Sequence, residues 1–208
     1  MSSLEYVQYG CGLSAPPQWT NFDASPTLLI ERLPLLAALT ARRGRLFPPN
    51  VRFGDIVKGL PIPQGSCRAV YCSHVLEHLS LNDFRTALVN TRKVLRADGV
   101  FRLVVPDLRV AAERYLATRE PTAAMQFMTE TSLGCVERQR GVGGMLRTWL
   151  GNSQHLWMWD FDSLRPELER AGFRNVRGAT FADSGDPMFG AVEEQSRWID
   201  AVGVQCQA

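Results

Sequence analysis

Short apolar stretches recur along the first half of the chain, separated by polar and glycine-rich segments. They predict β-strands over residues 6–9, 19–22, 51–53 and 69–73. Between the second and the third, Ser25-Pro26 is typical of a helix start with proline at the first helical position, and we expect this helix to run towards Arg42. Strands that alternate with helices in this way indicate βαβ units and a parallel sheet.

The second half of the chain continues the alternation. Ser80-x-x-Asp83 is typical of a capping box, and apolar residues then recur at helical spacing as far as Leu95. Residues Val100 to Val105 are apolar except for Arg102, a pattern typical of a central parallel strand covered on both faces. The remaining predicted elements are a helix over 110–118, a helix capped at Asp162-Ser163, a strand over 173–181 and an antiparallel last strand over 198–206.

Together these elements predict an α/β protein built on a Rossmann-like, doubly wound, mostly parallel sheet of about seven strands, with helices on both faces. We expect one domain over residues 1–208, because this length can bury a core without disulfide or metal support. A weakly patterned segment rich in Met and Gly is interpreted as an insertion at about 108–155, over the strand ends.

The composition argues against several classes of partner. Lys and Arg number 23 against 21 Asp and Glu, so the net charge of +2 gives no field that would attract nucleic acid or an anionic membrane. Five scattered cysteines without a C-x-x-C pair indicate neither a disulfide framework nor a zinc ribbon. We see no signal pattern and no apolar run near the roughly 20 residues of a membrane span, so we expect a cytoplasmic protein.

Glycine and polar residues follow each predicted strand at its carboxyl end. In an open parallel sheet, ligands bind outside these ends, where the strand order reverses. The residues concerned are Gly10, Gly12, Asp23, Asp55, Ser73, His74 and Asp107. The glycines would let backbone approach a ligand, Asp23 would accept both hydroxyls of a ribose, and Asp55 would accept from an adenine amino group.

The spacing of these residues argues against a dinucleotide. The fingerprint G-x-G-x-x-G places a helix against the pyrophosphate and an acidic residue about 20 residues later. Here Ala15 stands where the third glycine would fall, and Asp23 comes eleven residues after Gly12. The first helix must therefore be vestigial, which disfavours a nicotinamide dehydrogenase and favours S-adenosylmethionine, a nucleoside without phosphate.

Taken together, these segments resemble the class I S-adenosylmethionine-dependent methyltransferases, most closely a small, type-11-like branch with a shortened first crossover. The segments that carry the resemblance are Gly10-Cys11-Gly12, WTNFD at 19–23, Gly54-Asp55-Ile56, AVYCSHVLEHL at 69–79, VLRADGVFRLVVPDL at 94–108 and HLWMWDFDSLRPELERAGFRNV at 155–176. It implies S-adenosylmethionine as cofactor, bound by Gly10, Gly12, Asp23, Asp55, Ile56, Ser73 and His74. One departure is Gln8-Tyr9, where such proteins usually carry an asparagine or aspartate and an apolar residue.

Residues 74–78 spell H-x-x-E-H, which on a helix is a zinc peptidase signature. Such a site needs both histidines one turn apart on one helix and a third ligand. Here His74 closes a predicted strand, and the remaining histidine is His155. We therefore expect no metal, and interpret His78 as a buried or solvated residue at a helix start.

A second cluster, His155, Trp157 and Trp159, follows the Met-rich insertion. If this segment folds over the strand ends, the tryptophans would line an acceptor pocket and His155 would take a proton as the acceptor attacks the methyl group. The alternative is plain core packing, which is common for Trp and Met. For Asp107, which would either face the acceptor or cap the next helix, we favour the cap.

The function expected from these observations is transfer of a methyl group from S-adenosylmethionine to a small-molecule or sugar-like acceptor. The alternative, from another class, is a cofactor-binding module that has lost catalysis and acts as a regulatory or interaction protein. Both bind the cofactor, so turnover separates them. A neutral chain with an aromatic insertion favours a small acceptor over nucleic acid.

Overall fold

The computed structural model describes residues 5–32, 46–135 and 154–208, and it contains a sheet of seven strands. The strands are β1 (Tyr6–Tyr9), β2 (Thr20–Asp23), β3 (Val51–Phe53), β4 (Cys67–Ser73), β5 (Leu95–Pro106), β6 (Arg174–Ala179) and β7 (Ala201–Gln207). Their order across the sheet is β3-β2-β1-β4-β5-β7-β6. The first five pair in parallel, and β7 runs antiparallel between β5 and β6. The expected Rossmann-like fold with a mostly parallel sheet is confirmed.

Five α-helices lie in the described parts of the chain. They are α1 (Pro26–Arg32), α2 (Leu81–Val94), α3 (Leu108–Ala117), α4 (Ala123–Glu130) and α5 (Phe161–Arg170). The expected continuation of α1 towards Arg42 lies outside the described residues, as does the part of the expected insertion from 136 to 153. Among the helices that the structure describes, none combines the length and the apolar character needed to cross a bilayer.

The helix starts follow short polar side chains. The Ser80 side chain accepts a hydrogen bond from the Asp83 N–H, and the Asp107 carboxylate accepts one from the Arg109 N–H at 2.8 Å, which confirms Asp107 as a helix cap. The expected cap of α5 at Asp162 is wrong by two residues. Asp160 and Ser163 form a reciprocal capping box there, so the helix begins two residues earlier, after the carboxylate that can reach its N–H groups.

Successive strand residues point to opposite faces of the sheet, and both faces are buried. On β5, Phe101, Leu103 and Val105 lie in the core beneath α2 and α5, whereas Val104 packs on the other face with the 3-10 turn Pro187–Ala191. The prediction that Val100–Val105 is a central strand covered on both faces is thus confirmed. A sheet buried in this way exposes its strand ends, where the polar residues collect.

The crossover from β1 to β2, residues 10–19, contains turns and no helix. Gln8 and Asn21, buried on neighbouring strands, hold it in place. The Gln8 amide donates to Asn21 Oδ1 at 2.6 Å and to the Ser14 carbonyl at 2.8 Å, and the Asn21 amide donates to the carbonyls of Pro16 and Trp19. Burying two amides is favourable only because they are hydrogen-bonded. The unusual Gln8 therefore replaces a missing helix with side-chain hydrogen bonds.

Candidate functional site

A cleft of about 520 Å³ opens at the carboxyl ends of β1, β2, β3 and β4. This volume lies within the roughly 300–1,000 Å³ that is usual for small-molecule sites. Six of the seven predicted cofactor contacts line it, namely Gly10, Gly12, Asp23, Asp55, Ile56 and His74. Ser73 lines a smaller cavity next to it, together with Gln8 and Tyr71.

Asp23 ends β2 and is almost fully buried at the wall of the cleft. Its Oδ2 accepts the Gly12 N–H at 2.9 Å, and its Oδ1 accepts the Ser25 N–H at 2.7 Å. A carboxylate can accept about four hydrogen bonds, so two acceptor positions remain beyond these two. This arrangement fixes the side chain and leaves it able to bind a diol.

The two glycines after β1 meet different constraints. Gly10 has φ +66°, and a Cβ there would lie 2.0 Å from Cγ2 of Val75, so only glycine fits. Gly12 has φ +53°, and within the described parts of the chain a Cβ there would meet nothing within 4 Å. Gly10 therefore lets β1 pack closely against the segment after β4, whereas Gly12 presents bare backbone to open space.

Asp55 and Ile56 follow β3, which is separated in the sheet by β2 from β1, the strand that precedes the glycines. Asp55 Oδ1 accepts the Val57 N–H at 3.0 Å, and Oδ2 lies 3.4 Å from the exposed Lys58 ammonium. Ile56 is buried, and its carbonyl accepts from Asn90 of α2 at 2.9 Å. A polar acceptor beside an apolar side chain suits the edge and the face of an aromatic base.

His74 follows β4 in the left-handed region, with φ +53°. Its backbone N–H donates to the Val104 carbonyl, and its Nε2 lies 2.9 Å from the Arg197 carbonyl. Burial opposes the charged form, but the neighbouring Glu77 carboxylate and the Arg197 carbonyl raise the pKa of His74 above its ordinary value. His74 thus brings the turn that carries Arg197 to the mouth of the cleft, which Arg197 also lines.

The predicted acceptor residues lie apart from this lining. Trp159 is 2% exposed and stacks on Phe84 with ring centroids 4.2 Å apart, which is the core packing that the sequence left open as the alternative. Trp157 is exposed, with its ring 6.0 Å from that of Trp159. His155 is absent from the cleft lining in the described chain, but its ring contacts that of His78, which does line it, at 5.0 Å.

Several residues of the cleft were not predicted from the sequence, among them His78 and Arg197. His78 stood within the H-x-x-E-H motif and was interpreted as a residue at a helix start. Arg197 had no local signal, because it reaches the cleft through a contact with His74 that spans 123 residues.

Burial lowers the pKa of His155, even though the Glu77 carboxylate works in the opposite direction, so its imidazole favours the neutral form.

Comparison with known proteins places these features in a family. The family model described as "Methyltransferase domain" matches residues 15–177. No curated protein matches the sequence. Among solved structures, PigF with SAH has a TM-score of 0.50 at 14% identity, with 98% of this chain and 49% of that chain covered. A SAM-dependent methyltransferase from Archaeoglobus fulgidus has a TM-score of 0.50 at 13% identity, covering 98% of this chain and 86% of that chain.

A third solved structure, the CurJ carbon methyltransferase, has a TM-score of 0.50 at 12% identity, with 99% of this chain and 48% of that chain covered. This chain therefore spans about half the length of PigF and of CurJ. At such identities the likeness extends to the fold, and the match of the family model over most of the sheet carries the assignment.

Proposed function

This chain belongs to the class I S-adenosylmethionine-dependent methyltransferases, and from that premise we propose that it methylates a small-molecule or sugar-like acceptor. Its cofactor is S-adenosylmethionine. The observation that supports cofactor binding at this cleft is Asp23, buried at the cleft wall with two acceptor positions to spare beside two glycines of positive φ.

The residues around the cleft suit the parts of the cofactor. We assign the ribose hydroxyls to Asp23, the adenine to Asp55 and Ile56, and close backbone contact to Gly10 and Gly12. His74 would close the cleft over the strand ends, and Ser73 would contribute from the adjoining cavity. When bound, S-adenosylmethionine supplies a methyl group already activated on a sulfonium, so the chain's task is largely one of positioning.

An acceptor that must lose a proton needs a base as well. We assign this role to His155, acting through His78, because His78 lines the cleft and the two rings are in contact. Its neutral imidazole is the form that accepts a proton. Trp157, exposed on the same segment, is the proposed apolar contact for the acceptor.

Calorimetric titration with S-adenosylmethionine and S-adenosylhomocysteine tests the cofactor site. We expect Asp23→Ala to weaken both by about 100-fold, because it removes two hydrogen bonds to a charged group at about 1.5 kcal/mol each. Asp23→Asn, which keeps the size and one acceptor oxygen, should fall between wild type and Asp23→Ala. Asp162→Ala is the matched control, since that carboxylate pairs with Arg109 on the surface. Equal affinity for all four proteins would refute the assignment.

Turnover tests the acceptor. With radiolabelled cofactor and a panel of small metabolites and sugars, we expect transfer to at least one compound. His155→Ala should lower that turnover while cofactor affinity is kept. Cofactor binding without transfer to any acceptor would instead support the interaction-module alternative.

A further inference from the structure

Three side chains next to the cleft are arranged as a metal-binding group. Glu77, His78 and His155 each offer one ligand atom, and these atoms lie within 4.8 Å of one another. Glu77 and His78 belong to the 3-10 turn Leu76–His78 after β4, and His155 comes from a segment 77 residues later. The H-x-x-E-H motif pairs His74 with His78, whereas the fold brings His155 to Glu77 and His78.

The environment of the Glu77 carboxylate is the main evidence that this group binds a cation. Its side chain is 1% exposed, and neither oxygen has a hydrogen-bond partner among the described residues. Nδ1 of His74 lies 3.4 Å from Oε1, which is longer than a good hydrogen bond, and Oε2 has no hydrogen-bond partner among the described residues. A buried carboxylate in this state is unfavourable unless a cation completes it.

The backbone holds the two parts of the group together. The Glu77 carbonyl accepts N–H bonds from Leu156 at 2.8 Å and from Trp157 at 3.1 Å. His155, immediately before Leu156, is thereby fixed beside the turn. The position of the group is thus set by main-chain hydrogen bonds.

Both imidazoles have a nitrogen available. His78 Nδ1 lies 3.1 Å from the Gln154 carbonyl, which can only accept, so Nδ1 donates and Nε2 keeps its lone pair. That Nε2 lies 3.9 Å from Glu77 Oε1. His155 Nδ1 is buried without a hydrogen-bond partner in the described chain. Metal-binding histidines usually donate their second nitrogen to a carbonyl or a carboxylate, as His78 does here.

We propose that Glu77, His78 and His155 bind one divalent transition-metal ion, most favourably Zn²⁺, through the carboxylate, His78 Nε2 and His155 Nδ1. Two imidazoles and one carboxylate are a zinc ligand set that leaves a coordination position open. Because His78 also lines the cleft, the ion would lie beside the acceptor region. A bound ion uses the same nitrogen that a proton would need, so metal and proton compete for His155. The inference concerns metal binding alone and does not require methyl transfer.

Titration of the untagged, chelator-treated protein with ZnCl₂ alone tests the proposal, with bound metal counted by mass spectrometry. We expect one Zn²⁺ per chain in the wild type, and at least 100-fold weaker binding in Glu77→Gln, His78→Gln and His155→Gln. His74→Gln removes the one histidine of the sequence that is not a proposed ligand, and this variant should retain the ion. Cys135→Ser, which removes an exposed thiol, should retain it as well. Absence of stoichiometric zinc, retention by Glu77→Gln, or loss in His74→Gln would overturn the proposed ligands.

Thermal unfolding separates ligand loss from misfolding. Without metal, Glu77→Gln should unfold at the same temperature as the wild type or higher, because a neutral amide replaces a buried carboxylate without partners. With ZnCl₂, only the wild type and the two controls should gain stability. A lower melting temperature of metal-free Glu77→Gln would show that His74 already balances the charge, against the proposal. Cofactor titration of the wild type is independent of this result, so failure of either proposal is recognised separately.

Discussion

Two regions of this molecule bury charge in opposite ways. Around Arg102 on β5, the guanidinium is fully buried and each of its three nitrogens donates at least one hydrogen bond. It pairs with Glu193, donates to Asp183 at 2.8 Å and to Gln205 at 3.0 Å, and binds the Thr180 carbonyl at 2.6 Å. The second oxygen of Glu193 accepts the Ala182 N–H at 2.9 Å. Around Glu77, an equally buried carboxylate is left without hydrogen bonds in the described chain.

In the first region the charged groups have their partners within the chain, whereas in the second region acceptor atoms are available to a ligand. The Arg102 region joins β5 to the segments around β6 and β7, and Arg102, Glu193 and Asp183 each form an ion pair within the chain. At the carboxyl ends of β1 to β4, acceptor positions on Asp23 and Glu77 are left over. We therefore expect substitutions of the charged residues in the first region to change stability and substitutions of the charged residues in the second to change binding.

The largest effect is expected at Arg102. Arg102→Met should lower the free energy of unfolding by about 3–5 kcal/mol, because it leaves Glu193 buried without its partner. The double variant Arg102→Met/Glu193→Leu should recover part of this loss. Arg109→Met is the control, since its pairs are exposed, and should change stability by about 1 kcal/mol or less. Urea unfolding measures all three; a stable Arg102→Met with impaired cofactor affinity would reverse the comparison.

A smaller loss is expected at the edge of the cleft, from Gly10→Ala. The positive φ contributes about 1–2 kcal/mol and the contact with Val75 about 1–3 kcal/mol of destabilisation. Gly12→Ala, which meets no neighbour within the described chain, should show only the first of these. Chemical denaturation checks the order, and Val75→Ala should partly rescue Gly10→Ala. Equal losses at the two glycines would contradict the packing explanation.

The smallest effect concerns pH. Burial opposes ionisation of Asp183, but Arg177, the Thr180 backbone and Arg102 together lower its pKa from 3.8 to about 2. Because the folded pKa is depressed, its contribution to stability is complete above about pH 4 and is lost as the pH falls towards 2. Asp183→Asn should make the urea midpoint depend less on pH between pH 4 and pH 2. The change should be modest, since this carboxylate is one-third exposed. An unchanged pH dependence in Asp183→Asn would mean that Asp183 does not contribute to stability through its lowered pKa.

The sequence predicted what local patterns determine. Apolar runs located the strands because both faces of the sheet are buried, and the glycines and acidic residues at strand ends located the cleft because parallel strands end on one side. It left open whether Trp159 lines an acceptor pocket or packs in the core, where it stacks on Phe84. It could not place His155 beside Glu77, since that contact depends on backbone hydrogen bonds between distant segments. Arg197 escaped for the same reason.

The position of β7 has a consequence for how the molecule acquires its structure. It is the last strand along the chain, yet it lies between β5 and β6 and pairs Gln207 with Val100. During synthesis, β5 and β6 therefore expose unpaired backbone edges until the residues of β7 have been synthesised. Contacts of such long sequence separation slow folding. Among the described strands, β7 is the only one that pairs with β6, so a chain that stops before β7 should aggregate rather than fold.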